Sequence, residues 1–261
     1  MTSQIPTETF RVRRLAWAGV EISLGDTSVL IDPLEHVEPL APVMGSPRRP
    51  VPAVDSPSGT HALVTHLHPD HYDRELIARL ALSGTVGCHT PIAPELREAG
   101  IDVIPQELEQ PRRVGSLTVT PVTSLDWRGG DCDQVAWIVA GGGRRIIHCG
   151  DTMWHGNWWQ IARDHGPFDI AFVPVNGVIC RFEGYEADVP VTMTPEQAVE
   201  AAKVLGASAV CAMHYGLFHN PPAYTEQPDI ERRFRRAAEA RGITAMIVDD
   251  GEPVPLPPVG N

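Results

Sequence analysis

The chain has 261 residues, 43% of them hydrophobic, enough to bury a large core in one α/β domain spanning 1–261. Its 21 basic against 33 acidic residues give a net charge of −12, which argues against nucleic-acid partners, since phosphate backbones want a basic surface. No apolar run reaches the roughly 18 residues of a membrane span, and Met1 to Pro6 shows no basic-then-apolar leader, so a cytoplasmic protein is expected.

In chain order, the β-rich region Phe10–Asp32 reads as hairpins, closing on the strand-like run Val29-Leu30-Ile31-Asp32-Pro33. Pro33 to Gly59 is rich in glycine and proline. A loop that long in a compact domain is usually functional, so it is expected to overhang a site. The next apolar run, Ala62-Leu63-Val64, leads into Thr65-His66-Leu67-His68-Pro69-Asp70-His71. Imidazoles and a carboxylate crowded this closely cost stability through desolvation and repulsion, unless a cation gives their lone pairs a common target. If the strand continues to Leu67, His66 and His68 project to the same side and reach one ion. Pro69 then stops the strand, and Asp70 and His71, at the turn into a helix over Asp73–Leu82, face a second position beside the first.

Further helices are predicted over Pro91–Ala99, Asn157–His165, Pro195–Leu205 and Asp229–Arg241. The third of these is well signalled: Thr194 as N-cap, Pro195 at the first position, Gln197 as the capping-box partner and Gly206 as the stop. Alternating strands and helices imply a layered α/β fold. Arg232-Arg233-Phe234-Arg235-Arg236 reads as a solvated helix face. Cys88, Cys132, Cys149, Cys180 and Cys211 are odd in number, far apart and without a CxxC spacing, as in a reducing compartment. Cys149 and Cys211 are expected to be buried as small hydrophobes.

The HxHxDH pattern resembles the metallo-β-lactamase superfamily, and other runs match that family's motifs. Val29 to Pro33 resembles its early strand, whose aspartate braces the histidine loop. Arg145-Ile146-Ile147-His148-Cys149-Gly150-Asp151-Thr152 resembles the strand and turn delivering the carboxylate shared by two metals, here Asp151. Ala209 to Gly216 resembles the strand ending in the last histidine, here His214. Where the family usually places another histidine, after a strand like Val119-Thr120-Pro121-Val122-Thr123-Ser124-Leu125, this chain has Asp126. That carboxylate is either a harder, charged ligand favouring manganese or iron over zinc, or a turn cap. Gly150-Asp151-Thr152-Met153-Trp154, Pro174-Val175-Asn176-Gly177 and Met193-Thr194-Pro195-Glu196-Gln197-Ala198, with Met213-His214-Tyr215, further resemble the branch that includes L-ascorbate-6-phosphate lactonase.

The resemblance implies a four-layer αββα sandwich and two divalent ions, zinc or manganese with iron as an option. His66, His68 and Asp126 would hold the first ion, Asp70, His71 and His214 the second, with Asp151 as the bridge. A hydroxide between the metals would then cleave a small ester, lactone, amide or phosphoester, with Asp70 and Asp151 in the catalytic machinery. His148 is expected either to support the site or pass protons, or to be a satisfied core histidine. A di-iron oxygen or nitric-oxide reductase and a non-catalytic metal-binding module are the alternatives. Trp127, Trp154, Asn176, Arg181 and Tyr215 are expected around the substrate, and Arg181 as the evident cation points to an anionic one. A homo-oligomer stays open.

Overall fold

The computed structural model describes residues 9–55, 57, 59–129, 133–182 and 185–258. The first sheet takes β1 (Phe10–Arg14), β2 (Val20–Leu24), β3 (Thr27–Ile31), β4 (Thr60–Leu63), β5 (Val86–His89) and β6 (Val103–Gln106) in sequence order. Antiparallel hairpins join β1 to β3, as expected for Phe10–Asp32, and parallel pairing follows from β3 to β6. The chain continues through β7 (Arg112–Val114), β8 (Leu117–Thr123), β9 (Val135–Gly141), β10 (Arg144–His148), β11 (Ile170–Pro174), β12 (Ile179–Phe182), β13 (Tyr185–Glu186), β14 (Ala209–Met213), β15 (Tyr224–Thr225) and β16 (Thr244–Met246). The second sheet runs β16-β14-β11-β10-β9-β8-β7, and β13-β12-β15 form a small third one.

Strand alternation sorts the apolar side chains into three cores. Val29 and Ile31 of β3 face Trp137, Phe172 and Cys211 between the two large sheets. Leu30 and Ala62 point the other way, toward Leu76 and Leu96 of α2 (Arg74–Ala81) and α3 (Ala93–Glu98). On the far side, Ile147, Ala171 and Val210 pack against α4 (Trp158–His165), α5 (Pro195–Val204) and α6 (Ile230–Arg241). Strands covered on both faces read as continuous apolar runs. The result is the four-layer αββα sandwich.

The predicted helices form within a residue or two of their expected bounds. Asp73 Oδ1 accepts the Leu76 N–H at 3.0 Å as the cap of α2, and Thr194 with Gln197 closes the capping box of α5. Pro91 falls inside a 3-10 turn over Thr90–Ile92, so α3 starts later than expected. β4 ends at Leu63, so the histidines sit in a turn and not on a strand extension. There the His71 and Tyr72 N–H groups both donate to His68 O at 2.9 Å. The long loop carries a 3-10 turn, Glu38–Leu40, and the short helix α1 (Ala41–Met44).

The arginine face of α6 is partly paired: Arg233 and Arg241 reach Glu196 and Glu200 of α5 at 2.6 and 2.7 Å. Cys88, Cys149, Cys180 and Cys211 are buried free thiols, and Cys132 lies outside the described residues, as does Met1 to Pro6. No described helix is long and apolar enough to cross a membrane.

Candidate metal centre

Asp32, in the left-handed region at φ 46°, is the brace of the histidine turn. Its Oδ1 accepts the Thr65 N–H at 2.8 Å, and its Oδ2 accepts the Thr65 hydroxyl at 2.6 Å and His71 Nδ1–H at 2.7 Å. The Thr65 hydroxyl, having given its hydrogen to Asp32, accepts from His66 Nδ1–H at 2.9 Å. Both imidazoles therefore present an Nε2 lone pair to the interior of the site. Burial, then neighbouring His71 and His68, hold His66 well below the usual imidazole value. Burial also pushes His71 down, but Asp70 and the Asp32 hydrogen bond outweigh it and raise it to about 9. A negative field that favours a proton on His71 also favours a cation.

His214 directly follows β14 at φ 61°, its N–H donating to Trp17 O at 3.1 Å and its ring 4.1 Å from the indole of Trp17. Its Nε2 lies 3.2 Å from Asp70 Oδ2 and 3.7 Å from Asp151 Oδ1. Trp17 Nε1–H also donates to Asp70 Oδ2 at 3.0 Å. Burial alone would raise the Asp70 carboxyl, yet His71 and His214 drive it well below the carboxylate range. Across the site, Asp126 follows β8 by three residues. Its Oδ1 accepts the Arg128 N–H at 2.8 Å and its Oδ2 lies 3.6 Å from His68 Nδ1. Burial and Asp151 raise its pKa against the opposing pull of His68.

One ligand atom from each of His66, His68, Asp126 and Asp151 falls within 4.8 Å of the others, and the same holds for Asp70, His71, Asp151 and His214. Asp151 belongs to both groups. Buried His66 Nε2, His71 Nε2, Asp126 Oδ2 and Asp151 Oδ1 have no hydrogen-bond partner among the described residues. Orphaned buried polar atoms are costly, so a set converging on two points fits two cations.

A cavity of about 210 Å³ opens over these groups, roofed by Leu40, Val43 and Met44 of the long loop and walled by Trp127, Val178 and Tyr224. The loop thus overhangs the site as expected. Trp127 reaches the wall; the other expected substrate contacts do not. Trp154 packs 6.5 and 5.9 Å from Trp158 and Trp159. Asn176 is fully buried behind Tyr224, donating from Nδ2 to its Oη at 2.9 Å. Tyr215 lines a separate groove, with its hydroxyl on Glu231 at 3.3 Å. Arg181 is exposed and ion-paired with Asp188, so it supplies no cation to the cavity.

Of the two readings open for His148, the structure places it as a satisfied core histidine and not as a proton carrier. Its Nε2–H donates to Ala18 O at 2.7 Å and its Nδ1 accepts the Gly150 N–H at 3.3 Å, which leaves no nitrogen to move a proton. Burial lowers it to about 4, and it shapes the turn that carries Asp151. Cys149 and Cys211 pack in the cores, whereas Cys180 lines the cavity. Trp17, Tyr224 and Cys180 were not legible as site residues, because none lies in a motif.

Residues 27–215 match the family model described as the beta-lactamase superfamily domain. An uncharacterised protein of Mycobacterium tuberculosis is 26% identical over 218 residues, 78% of this chain and 55% of the relative. The chain thus spans about half the length of that relative. A "UPF0173 metal-dependent hydrolase" of Deinococcus radiodurans is 26% identical over 255 residues, 90% of this chain and 98% of the relative. Among solved structures, the diiron β-hydroxylase CmlA of Streptomyces venezuelae superposes with a TM-score of 0.73 at 18% identity. The match covers 95% of this chain and 54% of CmlA, a likeness of fold.

Proposed function

The chain belongs to the beta-lactamase superfamily, and from that premise we propose that it is a metal-dependent hydrolase of a small ester, lactone, amide or phosphoester. The observation that carries this reading is the convergence of seven buried or half-buried His and Asp side chains on two points that share Asp151. His66, His68 and Asp126 would hold one divalent ion, Asp70, His71 and His214 the other, and Asp151 both. Bound cations would supply a water of lowered pKa and polarise the bond under attack.

The chain's own residues fix the rest. Asp32 and Thr65 set the tautomers of His66 and His71, Trp17 orients Asp70 and His214, and the roof formed by Leu40, Val43 and Met44 restricts water over the centre. The lactone option rests on the resemblance of Gly150 to Trp154 to the ascorbate-6-phosphate lactonase branch. Four buried unpaired thiols support a reducing, cytoplasmic setting.

Elemental analysis of protein purified without chelator, followed by a panel of ester, lactone, amide and phosphodiester substrates, tests the reading. Two equivalents of divalent metal are expected, with cleavage that is lost on chelation and restored by zinc or manganese. A two-metal protein that cleaves none of the panel would instead be a binding module. The carboxylate at Asp126 favours one second reading, a di-iron oxidoreductase. Iron in the purified protein, with a visible absorption band that titrates with a reductant, would select it.

A further inference from the structure

Resting on the reading of this centre as a hydrolase site, we propose that the cavity takes an uncharged substrate with a compact apolar group, and that Tyr224 donates the hydrogen bond that fixes its acceptor atom. The charged or titratable groups on the described cavity wall, apart from Tyr224 and Cys180, are those of the centre itself, His68, Asp70, Asp151 and His214. No lysine or arginine is among the described lining residues. Of the arginines beyond the wall, Arg49 pairs with Asp250 at 2.8 Å, Arg181 pairs with Asp188, and Arg128 lines a separate pocket on the other side of His68. A second charged group on a substrate would therefore face Leu40, Met44, Val178 and Val191, and lose its hydration without gaining a partner.

The direction of the Tyr224 hydroxyl follows from a chain of donors behind it. The Val178 N–H can only donate, and it meets Asn176 Oδ1 at 3.4 Å and Thr192 Oγ1 at 3.2 Å. The Thr192 hydroxyl then gives its own hydrogen to Asn176 Oδ1. That fixes the carbonyl end of the Asn176 amide toward Val178 and Thr192, and its NH₂ end toward Tyr224 Oη. Tyr224 Oη is thus an acceptor from Asn176, and among the described residues its own hydrogen has no acceptor. Tyr224 lines the cavity, where that hydrogen would meet a carbonyl-like oxygen or nitrogen of the substrate. The step is a hydrogen bond; Tyr224 makes and breaks no covalent bond.

The test uses the zinc-loaded full chain and two amides of similar size, butyramide and succinamate, the second carrying a distal carboxylate, in ligand-observed NMR titrations. Butyramide is expected to bind at least tenfold more tightly than succinamate. Tyr224→Phe should weaken butyramide roughly fivefold at unchanged zinc content, the range of one hydrogen bond. Asn176→Asp keeps the volume but turns the NH₂ end into an acceptor, so it should draw the phenol hydrogen away from the cavity and weaken butyramide to the same degree with the phenol still present. Equal binding of the two amides, or no detectable binding of butyramide, would overturn the substrate class, and wild-type butyramide affinity in both variants would overturn the role of Tyr224. Failure of the hydrolase reading would look different: this binding pattern intact, with nothing on the substrate panel cleaved.

Discussion

In the Asp70–His71–His214 cluster each side chain is held from behind by another element, His71 by Asp32, Asp70 by the indole N–H of Trp17, and His214 by the Trp17 ring, with its backbone N–H on the Trp17 carbonyl. The His66–His68–Asp126 cluster shares the Thr65 brace at His66. Beyond that, its His68 side chain is 19% exposed, and Asp126 is held by the Arg128 N–H two residues further along its own loop. One half is therefore preorganised by the sandwich, and the other is assembled by the segment after β8. The difference teaches where metal identity is decided. A rigid cluster accepts what fits it, whereas the loop-borne carboxylate of Asp126 sets the charge and hardness of its own half.

The largest effect falls where the two halves meet. Asp151→Ala removes a ligand position from both clusters and unbalances the charge, so metal content should fall and turnover should vanish together. Full metal occupancy with normal turnover, from elemental analysis and assay of the same sample, would remove the shared carboxylate from the centre.

Next comes the loop-borne half. Asp126→Ala should deplete one of the two metals by at least an order of magnitude in affinity while His71 and His214 keep the other, and Asp126→His should shift the preference toward zinc. If Asp126 only caps its turn, both variants should keep the wild-type metal ratio and lose about 1 kcal/mol of stability. Metal-to-protein ratios of the three proteins side by side decide between these outcomes.

The braced half should respond more mildly and in a different way. In Asp32→Asn the amide oxygen stays on the Thr65 N–H, so the NH₂ end faces His71 Nδ1, which can then no longer donate. His71 would be driven toward the Nε2–H tautomer and lose its inward lone pair. The second ion should weaken about 10- to 100-fold and return in excess metal. Unchanged affinity in a competition titration would mean that Asp32 merely holds the backbone.

The preorganised half was also the more legible in the sequence. Its Asp70 and His71 stood out, with His66 and His68 of the other half, by a density of lone pairs that has no structural explanation without a cation, and its His214, like the shared Asp151, was legible by resemblance to the family's motifs. Asp32 was legible as a brace through the resemblance of Val29 to Pro33 to the family's early strand. Trp17 and Tyr224 were not, because each acts through a tertiary contact that leaves no local pattern. Tyr215 misled because His214 is left-handed, which turns the next side chain out toward the helical layer around α6. Arg181 misled because a charge read alone does not show its partner, and Asp188 lies seven residues on, across the β12–β13 hairpin.

That misreading supplies the smallest expected effect. Arg181 is exposed, paired with Asp188 and absent from the described cavity wall, so Arg181→Met should leave kcat/KM within about twofold for neutral and acidic substrates alike. An exposed ion pair of this kind contributes at most about 1 kcal/mol, so the melting temperature should barely move. A strong rise in KM confined to acidic substrates would bring Arg181 into contact with substrate during turnover. It would also show that the rim beyond the two clusters closes on binding, and with that the division between a built centre and an indifferent rim would fail.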